Sequence, residues 1–163
     1  MKSPAHFVIS ALLTLPIAFI TPVTVAETSH NHDHASHETM ELNQGQKWET
    51  DAPLRQGMSA LHQAVSTGLA DAHANTLRAD GYRKVAKELM TQFTYIVENC
   101  NLAPEADAQL HILLANILQG VEVIEGKVTS ERPEVGLVKI AQALNNYGSY
   151  FDHPNWKDIE ITH

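Results

Sequence analysis

The sequence predicts an all-α protein: an up-down-up-down antiparallel four-helix bundle that follows a signal peptide and a disordered His-rich arm. Two observations lead to this fold class. In the second two-thirds of the chain, four segments carry apolar residues at helical spacing and are joined by short connections. No stretch there shows the apolar–polar alternation of a strand. We place the signal peptide at 1–26, the arm at 27–46, the bundle at 47–158 and a short tail at 159–163.

The N-terminus has the composition of a secretory signal. Lys2 supplies a short positive region, the apolar run FVISALLTLPIAFI follows, and small residues lead to a predicted cleavage after Ala26. Because the run is short and interrupted by proline, we favour a cleaved leader over an uncleaved membrane anchor. No stable membrane span is expected after processing. The protein is therefore expected to be periplasmic or secreted.

The composition excludes two classes of function. The formal net charge of −8 argues against nucleic-acid binding, because phosphate binding needs a basic patch and none is visible. There is no Gly-rich phosphate loop, and no predicted helix carries the Glu-x-x-His pattern of di-iron bundles. We therefore expect a binding protein and not an enzyme.

The first two helices are marked by a start signal and by apolar stripes. Helix one is predicted from about Ala52 to Ala72, after the capping residue Asp51. Helix two runs from about Asp80 to Cys100, and its apolar residues follow the 4-3-4-3-4 spacing of a bundle seam. Cys100, the only cysteine, therefore lies on the buried stripe. With no partner for an intrachain disulfide, it is an inert thiol, a ligand or an intermolecular bridge.

Helices three and four each begin at a proline. Helix three starts at Pro104, which suits a first helical position, and its apolar face reaches Ile124. Helix four runs from about Pro133 to Tyr150. In an up-down-up-down bundle, the starts of helices one and three lie at the same end as the finishes of helices two and four. We call this the bundle end.

The bundle end gathers soft donor atoms. Met58 lies about six residues into helix one and His111 seven past the start of helix three, so at ~1.5 Å per residue both lie roughly 10 Å from that end. Cys100 closes helix two there and His153 follows helix four. Such sulfur and nitrogen donors suit Cu(I), Zn(II) or haem iron. Each residue alone also has an ordinary role, as core filling, inert thiol, boundary histidine or helix cap. The aromatic residues predicted at this end are Trp48, Tyr147, Tyr150, Phe151 and Trp156.

The arm carries a second concentration of ligand atoms. The stretch HNHDHASHE places four imidazoles within eight residues, interleaved with carboxylates. A flexible segment of this kind can wrap a divalent ion without a preformed cavity, and imidazole suits zinc, copper and nickel. The alternative is a solvated polar linker. The predicted ligands of the arm are His30, His32, His34 and His37.

Three segments of the chain carry a resemblance to a known group. KWETDAPLRQGM, IVENCNLAPEADAQLH and YGSYFDHPNW resemble the small exported bacterial proteins labelled DnrO-like, which share a signal peptide, a His-rich arm and one helical domain. The resemblance covers about Leu42 to Trp156 and implies export, with Cys100, His111 and His153 as motif members. It implies no particular ligand or activity.

A more distant likeness is to the periplasmic b-type cytochromes, exported four-helix bundles that hold haem between a Met on helix one and a His on helix four. Met58 would fit the first ligand, with His153 or His111 as the second. The chain has no C-x-x-C-H, so covalent c-type haem attachment is excluded.

Three function hypotheses follow. The leading one is an exported protein that binds copper or zinc, with ions captured by the arm and a second site formed by Met58, Cys100, His111 and His153. The second is non-covalent binding of haem b at the bundle end. The third is a metal-free interaction module whose aromatic end docks a protein partner, because aromatic residues dominate interface hot spots.

Overall fold

The computed structural model of the protein describes residues 39–161. The predicted signal peptide and the four arm histidines lie outside these residues. Helices α1 and α2 pack together, α3 packs against α2 and α4, and α4 returns to α1, which closes a four-helix bundle. The prediction of an all-α four-helix bundle is confirmed. The helices are α1 (Ala52–His73), α2 (Ala79–Asn99), α3 (Pro104–Ile124) and α4 (Pro133–Tyr150).

The predicted helix boundaries agree with the structure to within one residue. The residues that start a helix act on the backbone of its first turn, so they can be recognised from the sequence. The Asp51 carboxylate caps α1 by accepting the backbone N–H of Leu54 at 2.8 Å. Pro104 and Pro133 occupy the first turn of α3 and α4, where a missing N–H loses no helical hydrogen bond. Helix α2 ends at Asn99, one residue before the cysteine that the spacing had included.

The core is built from apolar stripes on all four helices. Leu61 of α1, Leu89 of α2, Ile117 of α3 and Leu144 of α4 have no exposed surface. Burying a side chain of this size contributes about 1.5–3 kcal/mol. Among residues 39–161 no polar or charged residue is buried. Apolar burial therefore holds the bundle together.

The packed domain extends beyond both predicted boundaries. The sequence predicts that residues 39–46 belong to the disordered arm. In the structure Met40 packs against the core, and the Glu41 N–H donates to Gln109 Oε1 at 2.7 Å. One apolar side chain and a few hydrogen bonds hold this segment, and neither produces a periodic pattern in the sequence. At the other end Ile159 is buried, so the boundary predicted at residue 158 falls inside a packed segment.

Extended backbone is rare in the described part of the chain. Two isolated bridges form, one between Asn43 and Gln46 and one between Trp48 and Phe151.

Between residues 39 and 161, no helix is long and apolar enough to cross a membrane.

Helices α3 and α4 approach each other at two glycines. A Cβ atom on Gly136 would lie 2.5 Å from the carbonyl oxygen of Gly120 and 2.9 Å from the backbone nitrogen of Ile124. Backbone atoms cannot turn aside as the end of a flexible side chain can. A side chain at this crossing would therefore push the two helices apart.

We expect Gly136→Ala to lower the free energy of unfolding by about 1–3 kcal/mol, because overpacking outweighs the better helix propensity of alanine. Urea unfolding followed by circular dichroism measures the change. Gly81→Ala is the matched control, since its Cβ would meet only the Leu77 side chain, with Cδ1 at 2.7 Å, and that side chain can move. Equal losses in the two variants would contradict the close crossing.

Candidate functional site

The segments that enter and leave the bundle are joined to each other at the bundle end. We call this junction the clasp and define it as residues 47–50 and 148–152. The Trp48 N–H donates to the Tyr150 carbonyl and the Asp152 N–H donates to the Trp48 carbonyl, both at 2.8 Å. The clasp therefore fixes the start of the domain directly to the end of α4. Two side-chain bonds flank it at 2.6 Å each, from Lys47 Nζ to the Gly148 carbonyl and from Thr50 Oγ1 to the Asp152 carbonyl.

A single carboxylate connects the clasp to the α2–α3 turn. Besides capping α1, Asp51 accepts the backbone N–H of Asn101 through its other oxygen, Oδ2, at 2.6 Å. Burial raises the pKa of the neighbouring Cys100 thiol to about 11, and the charges of Asp51 and Asp107 act in the same direction. In the metal-free protein these effects favour the protonated thiol over the thiolate.

Aromatic rings gather where the chain leaves α4, and we call this set the aromatic cluster: Tyr147, Phe151, His153, Trp156 and His62. Tyr147 is fully buried, and its ring stacks on Phe151 with centroids 5.3 Å apart. The Trp156 ring meets Tyr147 at 4.7 Å, and the rings of His153 and His62 lie against the indole at 4.9 and 5.0 Å. The segment after α4 is therefore held by packing between rings.

One hydrogen-bonded chain runs through the aromatic cluster. The Tyr147 hydroxyl lies 3.0 Å from His153 Nδ1, and His153 Nε2 lies 3.5 Å from the Ser59 hydroxyl. Burial raises the pKa of Tyr147 well above its ordinary value, so the phenol stays protonated. Burial lowers the pKa of His153, the Arg55 guanidinium adds to this effect, and Asp152 opposes it. The imidazole is therefore held neutral, with both ring nitrogens facing protein hydroxyls.

The structure places the four ligands predicted for the bundle end in different environments. Met58 has no exposed surface and lies in the core, so its sulfur does not face solvent. The His111 side chain is 69% exposed, and its Nδ1–H donates to the Asp107 carbonyl at 2.9 Å. Cys100 is half-buried and packs against the core. Met58 is therefore enclosed in the core, His111 is largely exposed, and His153 belongs to the aromatic cluster.

The reason for the difference at His111 is the helical rotation. His111 follows the buried Leu110 by one residue, and one residue turns the side-chain direction by about 100°. Residue counts predict the height of His111 along the bundle axis. They do not give the direction of its side chain, which points out of the core toward solvent.

Within residues 39–161, no three His, Cys, Asp or Glu side chains gather closely enough to hold a metal ion. A ligand role for Met58, Cys100, His111 and His153, whether toward a metal or toward haem, stays a prediction.

Sequence reasoning missed the polar residues that hold the segment after α4. His62 Nε2–H donates to the Lys157 carbonyl at 2.9 Å. The Asn145 side chain bonds both backbone groups of Ile159, accepting its N–H at 2.7 Å and donating to its carbonyl at 3.0 Å. In the sequence both residues occupy the flanks of amphipathic helices, where a polar residue usually faces water. No local signal distinguishes them from solvent-facing positions.

Comparison with known proteins gives no relative. No protein-family model, curated protein or solved structure matches the chain.

We expect the pH dependence of stability to include a contribution from His153. Because its pKa in the folded protein is lowered, this contribution is complete above the unfolded imidazole value of about 6.5 and is lost as the pH falls through that value toward the folded pKa. The unfolding free energy of the parent chain should therefore decrease more between about pH 7.5 and about pH 5 than that of His153→Asn. Urea unfolding at several pH values measures both slopes.

The control for this experiment is His111→Asn, because that imidazole is exposed and lies outside the aromatic cluster. It should keep the slope of the parent chain. A parent slope that is unchanged in His153→Asn would show that the neutral imidazole contributes nothing to stability.

Proposed function

We propose that the protein is an exported, periplasmic or secreted binder of a transition-metal ion, copper or zinc, and that the arm histidines His30, His32, His34 and His37 capture the ion. The observation that carries this proposal is the concentration of four imidazoles in eight residues directly before a segment fixed to a compact bundle. The leader-like residues 1–26 support export to a compartment outside the reducing cytoplasm.

The donor set of the arm suits borderline and soft cations. Neutral imidazole nitrogen binds Zn(II) and Cu(II) at about 2.0–2.1 Å, and neighbouring carboxylates add charge compensation. Asp33 and Glu38 supply those carboxylates between and beside the histidines. A set of closely spaced ligands on one segment needs no contribution from a preformed cavity.

The bundle supplies a fixed mount for the arm. Met40 packs on the core, the Glu41 N–H is held by Gln109 of α3, and Trp48 Nε1 donates to the Glu41 carbonyl at 2.6 Å. His37 precedes Met40 by three residues, which is a reach of about 10 Å of extended chain. Only a short length of chain therefore separates His37 from the residues that the bundle holds.

We place the ion on the arm and not at the bundle end because of how the bundle-end residues are engaged. Met58 is enclosed by the core, and His153 already pairs with Tyr147 and Ser59. Binding there would require the ion to displace buried contacts, whereas the arm needs no such rearrangement.

The test compares two variants of the full chain that remove imidazoles from different regions. One carries His30→Asn, His32→Asn, His34→Asn and His37→Asn. The matched control carries His73→Asn and His111→Asn, which remove exposed imidazoles of the bundle. We expect the arm variant to lose at least about tenfold in affinity for Zn(II) or Cu(II), and the control to match the parent chain. Calorimetric titration and elemental analysis measure this.

Retention of stoichiometric metal by the arm variant would overturn the proposal. A deletion intended to remove the arm should end at residue 38, because Met40 and Glu41 belong to the packed domain. A visible spectrum with a Soret band in the purified protein would indicate haem in place of a metal ion.

Metal affinity should also depend on pH. Each nitrogen–metal bond needs a neutral imidazole, so affinity should decrease as the pH falls through the ordinary imidazole range of about 6 to 7. Titrations of the parent chain at about pH 7.5 and about pH 5.5 measure the decrease. Equal affinity at both pH values would contradict binding through several imidazoles.

A further inference from the structure

The segment after α4 occupies a site that is built to hold an extended peptide. We call residues 155–161 the tail segment and the surface beneath it the tail seat, which consists of His62, Asn145, Tyr147 and Gly148. The seat comes from α1 and α4, and its occupant comes from the same chain. The contacts that the tail seat offers do not require the tail segment to belong to the same chain.

The tail seat has a place for an indole ring. Gly148 lacks the side chain that would fill this space, since a Cβ atom there would lie 2.3 Å from Trp156 Cδ1. Tyr147 and His62 border the ring at 4.7 and 5.0 Å. The indole N–H has no hydrogen-bond partner among the described residues, so the seat recognises the ring by shape and packing.

The rest of the seat recognises backbone. Asn145 bonds both the N–H and the carbonyl of Ile159, at 2.7 and 3.0 Å, and His62 donates to the Lys157 carbonyl at 2.9 Å. The Ile159 side chain is buried in the core. Backbone hydrogen bonds for affinity and side-chain pockets for specificity are the usual way in which proteins bind extended peptides.

The connection between the clasp and the tail segment is a tight turn. The Trp156 N–H donates to the His153 carbonyl at 3.1 Å, and Asn155 adopts φ of +63°, a left-handed conformation that most side chains disfavour. Pro154 lies within the turn and cannot donate a hydrogen bond. Opening this turn would extend the chain and free the tail segment without disturbing the clasp.

We propose that the tail seat is a peptide-binding site that accepts the tail segment of a second copy of this chain, so that two copies exchange tails. The second copy presents the chemistry that the seat requires: an extended segment with a tryptophan and, three residues later, an isoleucine. Exchange of identical segments forms a dimer with little loss of free energy, because each tail segment makes the same contacts with the seat of the other copy. The tail segment of the same chain competes with that of the second copy, at an effective concentration in the millimolar range. The fraction of exchanged dimer should therefore increase when the turn at Asn155 becomes harder to close.

The first test supplies the tail segment as a separate peptide. The full-length Trp156→Ala chain should leave the indole place open, and a dye-labelled peptide of residues 155–161 should bind it, as measured by fluorescence anisotropy of the dye. The same peptide carrying Trp156→Ala should bind at least about tenfold more weakly. Adding Asn145→Ala to the chain should weaken binding of the unmodified peptide. Circular dichroism verifies that each chain keeps its helices.

Failure of the unmodified peptide to bind the helical Trp156→Ala chain at millimolar concentration would overturn the proposal. Binding that is unaffected by Asn145→Ala would also overturn it, because the peptide would then occupy another surface.

The second test acts on the turn and leaves the seat intact. Asn155→Val should make the left-handed turn harder to close and raise the dimer fraction severalfold, whereas the control Asn155→Gly should ease it and favour the monomer. Sedimentation over a range of protein concentrations measures the mass. Equal dimer fractions in the two variants, or a dimer of Asn155→Val that survives the addition of Asn145→Ala, would overturn tail exchange.

Discussion

The pairing of Trp48 with Phe151 is the constraint on which the functional geometry depends. Two backbone hydrogen bonds connect the segment entering α1 with the segment leaving α4. The segment before α1 and the segment after α4 therefore meet at the bundle end. The His-rich arm precedes the first of these segments, and the tail segment follows the second. The first and last segments of a domain are poorly ordered unless they are tied down, and this pairing ties the two segments to each other.

The relation between core and surface explains which features could be predicted. Helix starts depend on local chemistry, so Asp51, Pro104 and Pro133 place them correctly from the sequence. Burial of Met58 and Leu110 follows from the apolar stripe. The facing direction of a residue beside the stripe is less certain, because one position along a helix separates core from solvent.

The segments outside the helices could not be placed in the same way. His153 takes its position from a turn with a left-handed Asn155 and from the ring of Tyr147, which lies six residues earlier. The Asn145 side chain bonds the backbone of Ile159, and such a contact leaves no periodic pattern in the sequence. Candidate ligands chosen by level along the bundle were therefore found in different environments: core, surface and aromatic cluster.

The chain has two tryptophans, and both lie at the bundle end, Trp48 in the clasp and Trp156 in the tail seat. Intrinsic indole emission is consequently a local signal of this end, whereas the far-ultraviolet ellipticity of the protein comes from helices along the whole bundle. Any difference between the two signals during denaturation would separate release of the clasp and the tail segment from melting of the helices, with no added label. The protein thus carries its own optical reporter for the region where the segments before α1 and after α4 are held.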